Sequence, residues 1–265
     1  MTTLPIYQVD AFSDHAFGGN PAAICPLECW LDGDVMQSIA AENNLSETAF
    51  FVPHENGAAG HFNLRWFTPK VEVDLCGHAT LASAFVILRH LHPELENVTF
   101  ETQSGTLNVS NDGDRLVLDF PARPPATAPI PSGFSEAIGM QPVEFQKSVK
   151  NLAIYDRQTS VLGITPDFAY IAALDGDGLI VTAPGDDCDF VSRYFAPHAG
   201  IDEDPVTGSA HCTLVPYWAE RLGKSDLYAR QVSERGGDLK CQLVADRVRM
   251  AGHAVLYMEG SLFLP

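Results

Sequence analysis

Two segments of similar sequence carry residues that could do chemistry in this chain. Each has an Arg–aromatic–Phe–x–Pro pattern, then an acidic loop, then a Gly–polar–Ala triplet at the start of an apolar helix. The copies are Arg65–Pro69 with Asp74–Ala79, and Arg193–Pro197 with Asp204–Ala210. Because the first N–H groups of a helix have no partners within it, two such helix starts could bind one carboxylate. For either loop alone, N-capping by Ser209 or a tight turn at Gly77 is the simpler explanation. The repetition favours the anion site.

Two further side chains near the first copy have reactive groups. Glu47 interrupts an otherwise apolar stretch, Leu45–Val52, that is predicted to be a strand. From the residues alone, an exposed strand carboxylate is as good an interpretation as a functional one. Cys76 directly precedes a helix start, where a thiolate is favoured. A small buried apolar cysteine is nevertheless the interpretation that the residues favour at this position.

Other familiar constellations lack part of their pattern. Ser209, His211 and Asp204 suggest a serine hydrolase, but the Gly-x-Ser-x-Gly turn is missing. Cys25 and Cys29 have no second pair and no nearby histidine, which argues against a zinc site. The sequence contains no His-Glu-x-x-His pair and no Gly-x-Gly-x-x-Gly after a predicted strand. The sequence therefore lacks the usual motifs of a zinc hydrolase and of a dinucleotide-binding protein.

The composition restricts the partners of the protein. Of its 265 residues, 46% are hydrophobic and 19% are charged, which suits a sizeable core. The formal net charge of −18 repels nucleic acid and anionic membranes, whereas local backbone dipoles could still bind a small anionic metabolite. No apolar run approaches the ~20 residues that span a bilayer, and the N-terminus lacks a signal-peptide pattern. We therefore expect a cytoplasmic protein whose six cysteines are reduced thiols.

Alternating and apolar patterns predict an α/β fold built from two similar halves. Strand patterns recur in both halves, and each half contains one mostly apolar helix, Ala79–His90 or Ala210–Leu222. Five prolines within Pro121–Pro131 predict a linker near the chain midpoint. Two such copies would face each other across a cleft. The expected organisation is an N-terminal domain at 1–120, a linker at 121–131 and a C-terminal domain at 132–265.

Four longer motifs relate the chain to a known family. They are Val9–Ala22, Asn44–Phe50, Arg65–Ala82 and Asp204–His211. With these motifs the chain resembles the phenazine biosynthesis PhzF-like isomerase family over nearly its whole length. That family is similar in fold to diaminopimelate epimerase and proline racemase. The resemblance implies an α/β (α+β) fold of two pseudo-symmetric epimerase-like domains, each a barrel-like β-sheet around a central helix, with the active site between them. It also implies no cofactor, no metal and a homodimer.

The resemblance also assigns roles to individual residues. In the family a glutamate moves a proton, and the matching residue here is Glu47. The other polar site residues of the family match His78, Asp204 and Ser209. Further residues of the same motifs are expected to contact the substrate: Asn20, Ser46, Cys76, Gly77 and Gly208. The best-defined reaction of the family isomerises trans-2,3-dihydro-3-hydroxyanthranilate, so we expect the substrate to be a small cyclic metabolite that carries a carboxylate.

Two alternatives stay open. In the epimerase and racemase relatives one catalytic cysteine matches Cys76, and a second would align near Thr207. Threonine does not titrate usefully, which argues against two-base racemisation but leaves an epimerase or dehydratase acting through Cys76. The chain could instead be a non-catalytic small-molecule-binding protein that kept the fold, because a fold does not determine a function.

Overall fold

Two compact units make up the chain in a computed structural model, which describes residues 2–55 and 57–264. Unit 1 comprises Met1–Phe120 together with Ala251–Pro265, and unit 2 comprises Pro121–Met250. The last segment of the chain therefore belongs with the first unit. The sequence-based boundary assigned that segment to the C-terminal domain instead. The physical reason for the difference is that the last strand pairs with the first strand of the chain.

Strands predominate in the first half of the chain. A π-helical turn, Ile87–Leu91, extends the second helix. In chain order the elements are β1 (Thr2–Ala11), β2 (Asn20–Pro26), α1 (Gly33–Asn43), β3 (Glu47–Pro53), β4 (His61–Phe67), β5 (Glu72–Val73), α2 (Gly77–Val86), β6 (Asn97–Thr102), β7 (Gly105–Asp112) and β8 (Arg115–Pro121).

The second half adds short helices to a similar series of strands. A 3₁₀ turn, Pro197–Ala199, follows its fifth strand. The elements are β9 (Ala126–Thr127), α3 (Phe134–Ile138), β10 (Glu144–Lys147), β11 (Asn151–Ile154), α4 (Gln158–Leu162), α5 (Phe168–Ala172), β12 (Leu179–Pro184), β13 (Phe190–Ala196), β14 (Ile201–Asp204), α6 (Gly208–Leu222), β15 (Asp226–Gln231), β16 (Gly237–Val244), β17 (Arg247–Gly252) and β18 (Ala254–Leu264).

The two units pair their strands in the same order. In unit 1, β1 lies antiparallel to β18 and β2, and β2 lies parallel to β3. The strand β4 then pairs antiparallel with β3 and β5 and parallel with β6. In unit 2, β10 lies antiparallel to β9 and β11, and β11 lies parallel to β12. There β13 pairs antiparallel with β12 and β14 and parallel with β15. This is the duplicated architecture that the sequence repeat predicts.

The apolar helix of unit 1 is buried, as a helix without a polar face should be. All residues of α2 from Gly77 to Ala84 are buried, and the helix packs on β1, β2 and β3. The hydroxyls of Thr80 and Ser83 donate hydrogen bonds to the carbonyl oxygens of Cys76 and Ala79. Both hydroxyls thus find their hydrogen-bond partners within the helix. The sheet can therefore cover the polar positions of α2 as well as its apolar positions.

The corresponding helix of unit 2 continues through Pro216. Proline has no N–H to donate to the carbonyl oxygen four residues earlier, which belongs to Cys212. The backbone N–H of Arg123 donates to that oxygen instead, at 2.8 Å. The proline-rich segment that the composition predicted as a linker therefore stabilises α6 from outside.

The sequence patterns located long elements better than short ones. The helix expected at Ala79–His90 is α2 with its π-helical turn, and the helix expected at Ala210–Leu222 begins two residues earlier. The helices α3, α4 and α5 were not predicted, because five residues are too few to show a helical period. In the described part of the chain, no helix is long and apolar enough to cross a membrane. All six cysteines are free thiols.

Candidate active site

Glu47 begins β3 and is buried. It directly follows Ser46, and it lies opposite Ala22 in the parallel pairing of β2 and β3. Six of the seven residues of β3 are buried. Only 8% of Glu47 is exposed, which decides against the solvent-exposed strand carboxylate that the sequence alone left open.

His78, the second residue of α2, faces Glu47. Its Nε2 lies 3.1 Å from Oε2 of Glu47. On the other side of the ring, Nδ2 of Asn20 lies 3.0 Å from Nδ1. With the amide nitrogen of Asn20 as the donor, Nδ1 is the acceptor, and the ring proton of a neutral His78 then lies on Nε2, on the side of the carboxylate. All three residues are buried, so these polar contacts act in a low dielectric.

The glycine-rich loop before β2 determines where Asn20 lies. Gly19 has a φ of 62°, and a Cβ at that position would clash with the carbonyl oxygen of Ala11. Both the positive φ and the close approach of the two backbones require a residue without a side chain. Asn20 then starts β2 opposite Ala11 and is fully buried.

Cys76 is the N-cap residue of α2, directly before Gly77. Its Sγ lies 3.5 Å from Nδ1 of His78. Among the described residues no side chain caps this helix start, so the positive end of the helix dipole favours negative charge there. Either a bound carboxylate or a Cys76 thiolate would supply that charge.

Asp204, in unit 2, belongs to a hydrogen-bonded network that ends at the start of α6. It is the last residue of β14, and its carboxylate accepts a hydrogen bond from the hydroxyl of Thr207. Nε2 of Gln231 donates to the Asp204 carbonyl oxygen at 2.6 Å, and Oε1 of Gln231 accepts from the Thr207 N–H at 2.8 Å. Since Gln231 is fully buried, this amide fixes the loop that carries Asp204.

Gly208 and Ser209 open α6, after the N-cap residue Thr207. Gly208 is buried and Ser209 is half-buried. Within the described residues this helix start also has no side-chain cap. Each unit therefore presents the Gly–polar–Ala triplet of its repeat at the positive end of a buried helix.

His211 is a buried structural residue of α6. Its Nδ1 donates to the Thr207 carbonyl oxygen at 2.8 Å, and its ring packs 5.9 Å from that of Phe190, centroid to centroid. Burial lowers the pKa of His211 to about 4, so the ring is neutral at neutral pH. Because a backbone carbonyl occupies Nδ1, Asp204 does not orient this ring as a Ser–His–Asp triad requires.

An arginine in each copy of the repeat forms a two-pronged ion pair with a glutamate on the next strand. Arg65 donates to both carboxylate oxygens of Glu72 at 2.7 Å. Arg193 donates to both oxygens of Glu203, at 2.7 and 2.8 Å. These pairs join β4 to β5 and β13 to β14, directly before the loops that lead into α2 and α6. The repeated arginine thus positions the repeated helix start.

The predicted site residues fall into two groups, one in each unit. The sequence did not single out Gln231, since a glutamine at a strand end carries no motif. Thr207 was noted only because the second catalytic cysteine of the epimerase and racemase relatives would align near it. That alignment was the signal that could have identified Thr207 as a residue of interest. Unit 1 holds Asn20, Ser46, Glu47, Cys76, Gly77 and His78, and unit 2 holds Asp204, Gly208 and Ser209.

Similar proteins give these residues a context. A family model described as phenazine biosynthesis-like protein matches residues 9–260. A relative from Pseudomonas aeruginosa, named an uncharacterized isomerase, is 50% identical over 261 residues, which cover 98% of this chain and 99% of the relative. A crystal structure of a PhzF family protein from Enterococcus faecalis is 46% identical with a TM-score of 0.93, covering 99% of this chain and 100% of that one.

A more distant neighbour bears on the fold alone. The crystal structure of a hydroxyproline epimerase from Agrobacterium vitis is 10% identical and has a TM-score of 0.64, covering 98% of this chain and 92% of that one. Together with the common strand order of the two units, this likeness confirms the epimerase-like α/β fold that the sequence predicted.

Proposed function

Because this chain belongs to the phenazine biosynthesis-like protein family, a family of isomerases, we propose that it isomerises a small cyclic metabolite by moving a proton. The proposed substrate carries a carboxylate and is similar to trans-2,3-dihydro-3-hydroxyanthranilate. The single observation that carries this proposal is the buried carboxylate of Glu47, held 3.1 Å from Nε2 of His78. A buried proton acceptor is what such a reaction needs.

Glu47 is the proposed acid/base. Its carboxylate removes a proton from one ring carbon of the substrate and, as the acid, returns a proton to the far end of the conjugated system, so the overall reaction needs no cofactor. The 3.1 Å contact between Nε2 of His78 and Oε2 of Glu47 is not a well-aligned hydrogen bond among the described residues, so Oε2 keeps a lone pair for the substrate proton. The ring of His78, with Nε2 at 3.1 Å, would hold the carboxylate in place.

The helix starts supply the proposed binding of the substrate carboxylate. In unit 1 the uncapped start of α2 at Gly77 would bind it together with the polar groups of Asn20, Ser46 and Cys76. In unit 2 the family resemblance suggests the same role for Gly208 and Ser209, with Asp204 as an orienting group. We also propose, on that resemblance and on the reduced cysteines, a cytoplasmic homodimer that binds no nucleic acid.

A second candidate function is favoured by the position of Cys76. Its Sγ lies 3.5 Å from Nδ1 of His78 at the positive end of α2, a setting that favours a thiolate. Such a thiolate could serve as the base of an epimerase or dehydratase. Thr207 occupies the corresponding place before α6, so this chemistry would act on one face of the substrate only.

The test of the glutamate assignment compares Glu47→Gln with Glu42→Gln, an exposed glutamate on α1. Both proteins and the parent are incubated in heavy water with trans-2,3-dihydro-3-hydroxyanthranilate and with a panel of cyclic and diamino acids. We expect deuterated isomer from the parent and from Glu42→Gln, and a rate lower by about 10²–10⁴-fold for Glu47→Gln, the usual range for a lost general acid/base. Mass spectrometry measures the deuterium and chromatography the product.

The same incubations separate the two candidate functions. Full turnover by Glu47→Gln contradicts the glutamate mechanism. Deuterium found only at an amino-acid α-carbon, and lost in Cys76→Ser but kept in Glu47→Gln, establishes the thiol mechanism instead. A compound of the panel that binds to the parent protein, but is neither converted nor deuterated by it, points to the non-catalytic binding protein.

A further inference from the structure

Three different metal-binding side chains meet in unit 1. Glu47 offers a carboxylate oxygen, Cys76 a sulfur and His78 an imidazole nitrogen, and these three atoms all lie within 4.8 Å of one another. Each residue is buried, at 8, 5 and 2% exposure, so the donors are held by the fold and not by chance contact on the surface. Oxygen, sulfur and imidazole nitrogen together are the donor set of Zn²⁺ and of similar thiophilic divalent cations.

The spacing of the donors suits one tetrahedral ion. Ligand atoms about 2.0–2.3 Å from Zn²⁺ lie about 3.3–3.6 Å apart from each other in a tetrahedron. Oε2 of Glu47 and Nε2 of His78 are already 3.1 Å apart. The thiol of Cys76, which now lies 3.5 Å from the other ring nitrogen, would have to turn toward Nε2. With three protein ligands, the fourth position is left to water.

Asn20 provides the support that a metal-bound histidine needs. It lies 3.0 Å from Nδ1 of His78, the ring nitrogen that would stay off the metal. With an ion on Nε2, Nδ1 carries the proton, and the amide of Asn20 turns its oxygen to accept it. A partner of this kind fixes the ring orientation and raises the basicity of the ligating nitrogen.

We propose that Glu47, Cys76 and His78 form a binding site for a thiophilic divalent cation such as Zn²⁺, and that this ion inhibits the enzyme. Binding releases the thiol proton of Cys76 to solvent, so affinity rises with pH. The ion is an inhibitor and not a cofactor, because it occupies the carboxylate oxygen that the proton transfer requires. The proposed binding rests only on the positions of these three side chains, whereas the proposed inhibition also rests on the proposed function of Glu47.

The test uses Co²⁺ as a coloured substitute, added to the full-length protein without substrate. We expect one equivalent to bind with a thiolate-to-cobalt charge-transfer band, and Zn²⁺ to displace it. Cys76→Ala should abolish the band. The matched control Cys29→Ala removes an exposed thiol of the same unit and should keep it. Asn20→Ala should weaken binding by about 10- to 100-fold, the usual effect of losing an outer-shell partner. Circular dichroism establishes that each variant is folded.

The outcomes are distinct. A missing band in the folded parent, or a band that survives in Cys76→Ala, overturns the site; in the second case the sulfur belongs to another cysteine. Loss of the band in Cys76→Ala together with Zn²⁺ inhibition of the parent supports both parts of the proposal. A Cys76-dependent band without inhibition keeps the site but contradicts the role of Glu47 in turnover, which separates the failure of one proposal from the failure of the other.

Discussion

His78 connects the reactive groups of unit 1, because each of its ring nitrogens faces a different partner. Nε2 faces Glu47, while Nδ1 faces both Asn20 and Cys76. The state of one group therefore changes the others through a single ring. A proton on Nδ1 instead of Nε2 would withdraw the donor from Glu47 and direct it to Asn20 or Cys76. Because of this coupling, the proposed glutamate reaction, the alternative thiol reaction and the proposed metal binding would exclude one another at the same three residues.

His211 gives a prediction about stability and pH. Its pKa is lowered to about 4 by burial, whereas a histidine in an unfolded chain has a pKa of about 6.5. Between these values the unfolded chain binds a proton that the folded chain does not. The free energy of unfolding should therefore fall as the pH drops from about 6.5 to about 4, by up to about 3 kcal/mol, and this contribution should be fully present above pH 6.5.

Urea unfolding of the parent and of His211→Gln, measured at several pH values, checks this prediction. The variant has no group that titrates at this position, so its stability should depend less on pH within that window. We expect the stability difference between parent and variant to shrink as the solution is acidified. Parallel curves for the two proteins would show that His211 does not remain neutral in the folded state.

Some site residues are visible in the sequence and others are not. The Gly–polar–Ala triplets and their apolar helices make His78 and Ser209 candidates, because the first N–H groups of a helix have no partners within it. The burial of Glu47 could not be derived, since an acidic residue in an apolar strand is compatible with either face of the sheet. Gln231 was missed because its role comes from a contact with Thr207 that is distant in sequence.

The repeated arginines give a prediction at the scale of the element. The Arg193 side chain is 14% exposed and also donates to the carbonyl oxygens of Val161 and Ile164. The Arg65 side chain is 29% exposed. Substitution by methionine keeps the aliphatic stem but leaves the glutamate unpaired. The two glutamates are similarly exposed, at 24% and 26%, but Arg193→Met also takes a donor from two backbone carbonyl oxygens. We therefore expect about 2–4 kcal/mol for Arg193→Met and about 1–2 kcal/mol for Arg65→Met.

Chemical denaturation of the two variants measures these losses, and each variant serves as the control of the other. Hydrogen exchange should place the loss at β13 and β14 in one case and at β4 and β5 in the other. Equal losses, or a larger loss for Arg65→Met, would contradict this ranking. They would indicate that the aromatic rings, which contact both guanidinium groups, determine the losses.

Long elements were predictable because their hydrophobic patterns are long enough to show a period. In β6, β7 and β8, buried residues alternate with more exposed ones over most of the strand. Pro216 shows what such patterns leave out. The apolar pattern predicted the helix, but only the structure supplies the Arg123 N–H that replaces the missing donor. Local sequence determines the element, and distant contacts determine how an irregularity is tolerated.

At the scale of the molecule, alternating hydrophobicity predicts that a segment is a strand, but it does not predict which other strand that segment pairs with. No pattern in the sequence could indicate that β18 pairs with β1 along its length, from Thr2 opposite Leu264 to Ala11 opposite Ala254. The division of the chain into 1–120 and 132–265 followed from proximity in sequence. The observed units instead follow the pairing of the two chain ends, with β9 in the equivalent place beside β10.

The pairing of β18 with β1 predicts that two adjacent residues of β18 differ sharply in their importance. Leu262 packs against the core of unit 1 that includes Ile6 and Met36, whereas Phe263 is 66% exposed. We expect Leu262→Ala to lower stability by about 2 kcal/mol through lost burial, and Phe263→Ala to change it by less than about 0.5 kcal/mol. Hydrogen exchange should show faster exchange in β1 and β2 for Leu262→Ala only. If the change appears instead in β15 and β16, the last strand stabilises unit 2, and the sequence-based boundary describes the domains better than the observed pairing does.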